Sequence, residues 1–100
     1  MELDPVGAYQ LAYDASREAA MALLAARGLR PTARGGHVAV VQAMEALGVA
    51  GFERLDAMRR RRNKLEYPGP DDHGATADDA RAAIEWAGDM CSRAKEAMPR

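Results

Sequence analysis

Apolar residues recur at helical spacing in four stretches of the chain, and each stretch is bounded by residues that start or stop helices. The first begins at Asp4-Pro5, an N-cap acceptor ahead of a proline whose fixed φ suits the first helical position. It runs to Arg27, where Gly28 and then Leu29-Arg30-Pro31 stop it. At about 100° per residue, Tyr9, Ala12, Tyr13, Ser16, Ala20, Leu23 and Leu24 share one side, while Asp14 and Glu18 face away. Thr32 offers a cap for the second helix, weakened by Gly35 and Gly36. From His37 onward Val40, Val41, Met44 and Leu47 form its apolar face, with Gly48 as its end. The third helix spans roughly Gly51 to Glu66 and stops near Tyr67, before Pro68-Gly69-Pro70. A polar loop follows to Ala75. Thr76 then caps a last helix whose first turn holds Asp78 and Asp79 and whose stripe reads Ala80, Ile84, Ala87, Cys91, Ala94 and Met98. These elements predict one all-α domain over residues 1–100, an antiparallel up-and-down four-helix bundle.

Composition reinforces that expectation. Valine, isoleucine and threonine total only 8 residues, whereas 22 are alanine. Five aromatic residues leave little bulk for a core, so a chain of 100 residues gains from associating with another. A lone Cys91 provides neither an internal disulfide nor a cysteine-based metal site, which points to a reducing, cytoplasmic setting. No apolar run approaches the roughly 20 residues of a membrane span.

The formal charge of −1 hides a clustering: Arg59, Arg60, Arg61, Arg62 and Lys64 fall within six positions of the third helix. Phe52, Leu55, Met58 and Leu65 define that helix's apolar side, and Arg62 falls near its middle. Arg60, Arg61 and Lys64 fall outside it and read as a solvated face. A guanidinium stays charged at ordinary pH, so an inward Arg62 needs a carboxylate, carbonyls or a ligand anion, and Glu66 is one turn away. Beside the stripe, Arg59, Asn63 and Tyr67 follow at i, i+4 and i+8, so the five residues compose a polar cluster at the helix end. The cluster serves equally as an ion-paired lock or as a binding site.

The string Arg59-Arg60-Arg61-Arg62-Asn63-Lys64-Leu65-Glu66-Tyr67, with Ala12-Tyr13-Asp14-Ala15-Ser16-Arg17-Glu18-Ala19-Ala20 and Gly28-Leu29-Arg30-Pro31 upstream, resembles the HEPN domain family across nearly the whole chain. That family's motif is an Arg, commonly followed by a polar residue, with a His four to six residues after the Arg. Many members are metal-independent ribonucleases that act as dimers, often as toxins paired with a nucleotidyltransferase-like antitoxin, and others are inactive binding modules. The resemblance implies that Arg62 and Asn63 match the motif and that Tyr67 stands where the His would be. A tyrosine with an ordinary pKa of about 10 is a poor proton shuttle at neutral pH, though it can hydrogen-bond or stack on a nucleotide. The expectation is therefore a dimeric module that binds RNA, a nucleotide phosphate or a partner protein with little or no catalysis, with a ribonuclease toxin as the alternative. As a catalytic set the residues are Arg62, Asn63 and Tyr67; as binding residues, Arg59 and Glu66.

The remaining candidates are few. His37, beside an apolar edge, and His73, in the polar loop, have no partner at metal-ligand spacing, so neither a metal nor a cofactor is expected. Trp86 lies off the stripe of the last helix and reads as an interface anchor or as a residue shielded by loop packing. Arg27, Arg30 and Arg34 form a second small basic patch suited to a helix C-terminus.

Overall fold

In a computed structural model, which describes residues 4–29, 36–67, 69 and 74–99 apart from the side chains of Gly36 and His37, the secondary structure is entirely helical. Four helices follow in order: α1 (Pro5–Ala26), α2 (Gly36–Leu47), α3 (Leu55–Glu66) and α4 (Ala77–Ala97). The proposed Thr32 cap, Arg30, Arg34 and His73 lie outside the described residues.

Local chemistry sets most of the boundaries. Asp4 caps α1 by accepting the Gly7 N–H at 2.6 Å, with Pro5 at the first helical position. Gly28 then takes φ +77°, a left-handed conformation that glycine adopts without steric cost. Thr76 and Asp79 form a reciprocal capping box: the Thr76 hydroxyl accepts from Asp79 N–H at 3.0 Å and the Asp79 carboxylate accepts from Thr76 N–H at 2.9 Å. The start of α3 departs from expectation, because Gly51 has φ +97° and its N–H donates to Glu53 Oε2, so the chain turns there and regular helix begins only at Leu55. Phe52 is nevertheless buried and joins the core.

All seven residues assigned to the inward side of α1 are buried, Tyr13, Ser16, Ala20, Leu23 and Leu24 completely. Val40, Val41 and Met44 of α2 and Leu55 and Met58 of α3 complete the same core. In α4 the buried stripe is Ala80, Ala83, Ala87, Met90 and Ala94, one step round from the expected one. Ile84 and Cys91 are exposed. Both stripes share Ala80, Ala87 and Ala94, and the position of α1 decides between the flanking sets.

The pairing of the long helices gives the architecture its character. Ala8 shares a groove with Ile84 and Ala87, Cys91 Sγ lies 3.9 Å from Ala15 O, and Arg27 Nη2 donates to Ala97 O at 3.2 Å. Residue numbers rise together along both helices, so α1 and α4 run parallel. In contrast, Arg54 sits against Trp86 while Arg61 meets Asp79, which makes α3 antiparallel to α4. Strict alternation thus describes α3 and α4 but not α1 and α4.

Candidate functional site

The C-terminal half of α3 lies against the first half of α1, and this contact gathers the polar cluster. The Arg62 side chain is 20% exposed; its Nη1 donates to Glu66 Oε2 at 2.7 Å, the partner expected from the i, i+4 spacing. Its Nε lies 3.6 Å from Asp14 Oδ1 on α1, and its guanidinium stands 5.8 Å from the Tyr13 ring centroid. Tyr13 is wholly buried, and that burial pushes its hydroxyl pKa up against the opposing pull of Arg17, Arg59 and Arg62. Nε of Arg17 and Nε of Arg62 are buried without a hydrogen-bond partner among the described residues.

The other residues of the cluster separate. Arg59 turns back along its own helix, with Nε and Nη2 both donating to Asp56 Oδ1 at 3.1 and 2.9 Å. Arg60 reaches the other oxygen of the same carboxylate at 2.9 Å. The two guanidinium groups, the Arg59 hydrogen bonds first, hold the Asp56 carboxyl below the usual aspartate range. Asn63 and Tyr67 are exposed, Tyr67 to 78%, so the phenol does not join Arg62 in a pocket. On the helix wheel Arg60, Asn63, Lys64 and Tyr67 fall at i, i+3, i+4 and i+7, and all four are exposed. A guanidinium, an amide, an ammonium and a phenol thus share the outer side of the α3 terminus.

Arg61, expected on a solvated face, instead ties two helices together. Its Nη2 donates to Gly74 O at 2.8 Å and lies 3.4 Å from Asp79 Oδ2 in the capping box. Sequence reasoning also missed Asp14, which the wheel placed outward. No local spacing flags it, because on the wheel it lies well outside the apolar arc.

A second concavity of about 360 Å³ opens between the 50–54 turn and α4, lined by residues that include Arg54, Trp86, Asp89 and Arg93. Trp86 is partly buried against the core, and the Arg54 guanidinium stacks over it at 4.5 Å from the ring centroid. Among the described residues, this arginine and the turn flank Trp86. Arg93 is held by Asp89 at 2.9 Å and leaves no room for a Cβ at Gly51.

Among the described residues no three His, Cys, Asp or Glu side chains are grouped to hold a metal, and no helix is long and apolar enough to cross a membrane. No protein-family model matches the sequence, and no curated protein or solved structure matches it significantly.

Proposed function

We propose that this chain is a HEPN-like binding module that acts as a dimer and contacts RNA or a nucleotide phosphate through the outer side of the α3 terminus. The observation that carries the reading is the exposed set Arg60, Asn63, Lys64 and Tyr67 on one helix face. Cations there attract phosphates, the amide can hydrogen-bond phosphate or base edges, and the phenol offers a stacking surface, which suits a single strand with splayed bases. Arg62 supports the non-catalytic form of this reading, because carboxylates from two helices already offset the charge that a cleavage transition state would need. The phenol that replaces the motif imidazole is largely exposed to solvent. A ribonuclease toxin with a nucleotidyltransferase-like antitoxin fits these two facts less well.

Fluorescence anisotropy with a labelled single-stranded RNA tests the proposal. Binding should weaken as salt rises, and Arg60→Ala with Lys64→Ala should weaken it further and flatten the salt dependence. Equal affinity of the double variant and the parent would reject this face as the contact surface.

A further inference from the structure

The face that α1 and α4 turn away from the core carries two exposed ridges. Leu11, Ala15, Glu18 and Ala22 recur along α1, and Arg81, Ile84, Gly88, Cys91 and Lys95 along α4, each set at spacings of three and four that keep it on one side of its helix. Leu11 and Ile84 are each 55% exposed, an unusual cost for two of the larger apolar side chains of so small a protein. Between the ridges lies an apolar groove of about 240 Å³ lined by Ala8, Leu11, Ala12, Ala15, Ile84 and Ala87. On the α4 ridge, a Cβ added to Gly88 would meet nothing, so an incoming helix could approach the backbone closely there.

We infer that this face is the seam of a two-fold dimer in which α1 of each copy lies along α4 of the other, making a four-helix interface from two parallel pairs. This rests on the dimeric part of the reading above and names the surface that part requires. Charge selects both the occupant and the direction of the two-fold axis. Because Ala15 is level with Cys91, Glu18 is level with Lys95, each one turn further on. An axis along the helices sets α1 against the other copy's α4 at equal height: Leu11 lies within one turn of Ile84, Ala15 meets the stretch from Gly88 to Cys91, and Glu18 meets Lys95, each contact occurring twice. An axis across the helices sets α4 against α4, which brings Arg81 opposite Lys95 and places like charges together. The seam thus pairs opposite charges with a second copy of itself in one orientation, whereas the other offers Lys95 only Arg81, a cation already paired with Asp78 at 3.0 Å.

Sedimentation equilibrium of the full chain and of charge-reversed variants decides the matter. The parent chain should dimerise, Glu18→Lys and Lys95→Glu should each lower the association constant by at least about tenfold, and the double reversal should restore it. Leu11→Glu, at a half-exposed site, should abolish the dimer while leaving the helical circular dichroism unchanged. A monomeric parent at millimolar concentration overturns the inference, and so does a dimer indifferent to Leu11→Glu, or single reversals that the double variant does not rescue. RNA anisotropy on the same samples reports the α3 face separately, so loss of one property without the other identifies which proposal has failed.

Discussion

Arg62 on α3 and Asp14 on α1 lie 3.6 Å apart, Nε to Oδ1, while Glu66 holds the far end of the same guanidinium at 2.7 Å. One side chain thus joins two helices and caps the polar end of the core beside Tyr13. Both carboxylates are partly exposed, so each ion pair contributes modestly, and much of what Arg62 supplies is the packing of its stem. Arg62→Ala should cost about 1–2 kcal/mol in urea unfolding. On a domain of this size each kcal/mol lowers the melting temperature by about 4–8 °C. Arg62→Met, which keeps the stem, should recover part of the loss. An Ala variant as stable as the parent would show that the clamp holds nothing.

Stability should fall at both ends of the pH scale, for different reasons. The Asp79 carboxyl is held below its ordinary range, first by the Thr76 backbone N–H and then by the Thr76 hydroxyl and Arg61. A depressed carboxyl contributes stability that is present above its unfolded pKa of about 4 and lost as pH falls through the lower folded value. Tyr13 and Tyr9 run the other way: burial raises both hydroxyls, so the unfolded chain gives up those protons first and stability falls as pH rises past about 10. Denaturation midpoints measured from pH 2 to 12 should therefore trace a plateau with two falling limbs. Asp79→Asn should flatten the acid limb and Tyr13→Phe the alkaline one; unchanged limbs would mean that other groups set them.

Thr76→Ala removes the other half of the capping box and should cost about 1 kcal/mol, as such caps do. Arg61→Ala should cost less on its own, since Arg61 reaches Asp79 at 3.4 Å and Gly74 O through the same Nη2. The two residues converge on Asp79, so a double-mutant cycle should give a coupling above about 0.5 kcal/mol. Simple additivity would mean that the cap and the α3–α4 tie act independently.

How much of this was legible from the sequence depended on side-chain size. In α1 the large residues Tyr9, Tyr13, Leu23 and Leu24 admit one arc, and the structure buries that arc. In α4 alanine occupies so many positions that two stripes one step apart satisfy helical spacing equally, and only the tertiary position of α1 buries Ala83 and Met90 rather than Ile84 and Cys91. The pairing of Arg62 with Glu66 was readable because both lie on one helix at i, i+4. Asp14 and Asp79, which join Arg62 and Arg61 from other helices, depend on distances that no local spacing encodes.

Trp86 is the chain's single tryptophan and therefore its own reporter. Arg54 stacked on its exposed face contributes about 0.5–1 kcal/mol at a site open to water. Arg54→Ala should lower stability by that amount and increase quenching of Trp86 by iodide, because the guanidinium no longer covers the indole. If quenching stays as in the parent chain, the stack does not persist in solution.

In the HEPN-like reading proposed above, Tyr67 stands where the motif carries its histidine, which invites the test of introducing an imidazole there. An imidazole would titrate near neutrality, as a general acid or base must. Position 67 is 78% exposed, however, and lies just past the end of α3 with its backbone N–H donated to Asn63 O. Arg62, the charge with which it would have to cooperate, is turned inward onto Asp14 and Glu66. Proton transfer and phosphate stabilisation must converge on one reacting group, and these two positions do not. Tyr67→His should therefore leave a labelled RNA intact through prolonged incubation at high protein concentration, while a Tyr67→Ala control weakens RNA binding by removing the stacking phenol. Cleavage by the His variant that disappears when Arg62→Ala is added would establish an active site one substitution from function, and the non-catalytic reading of the α3 terminus would fall.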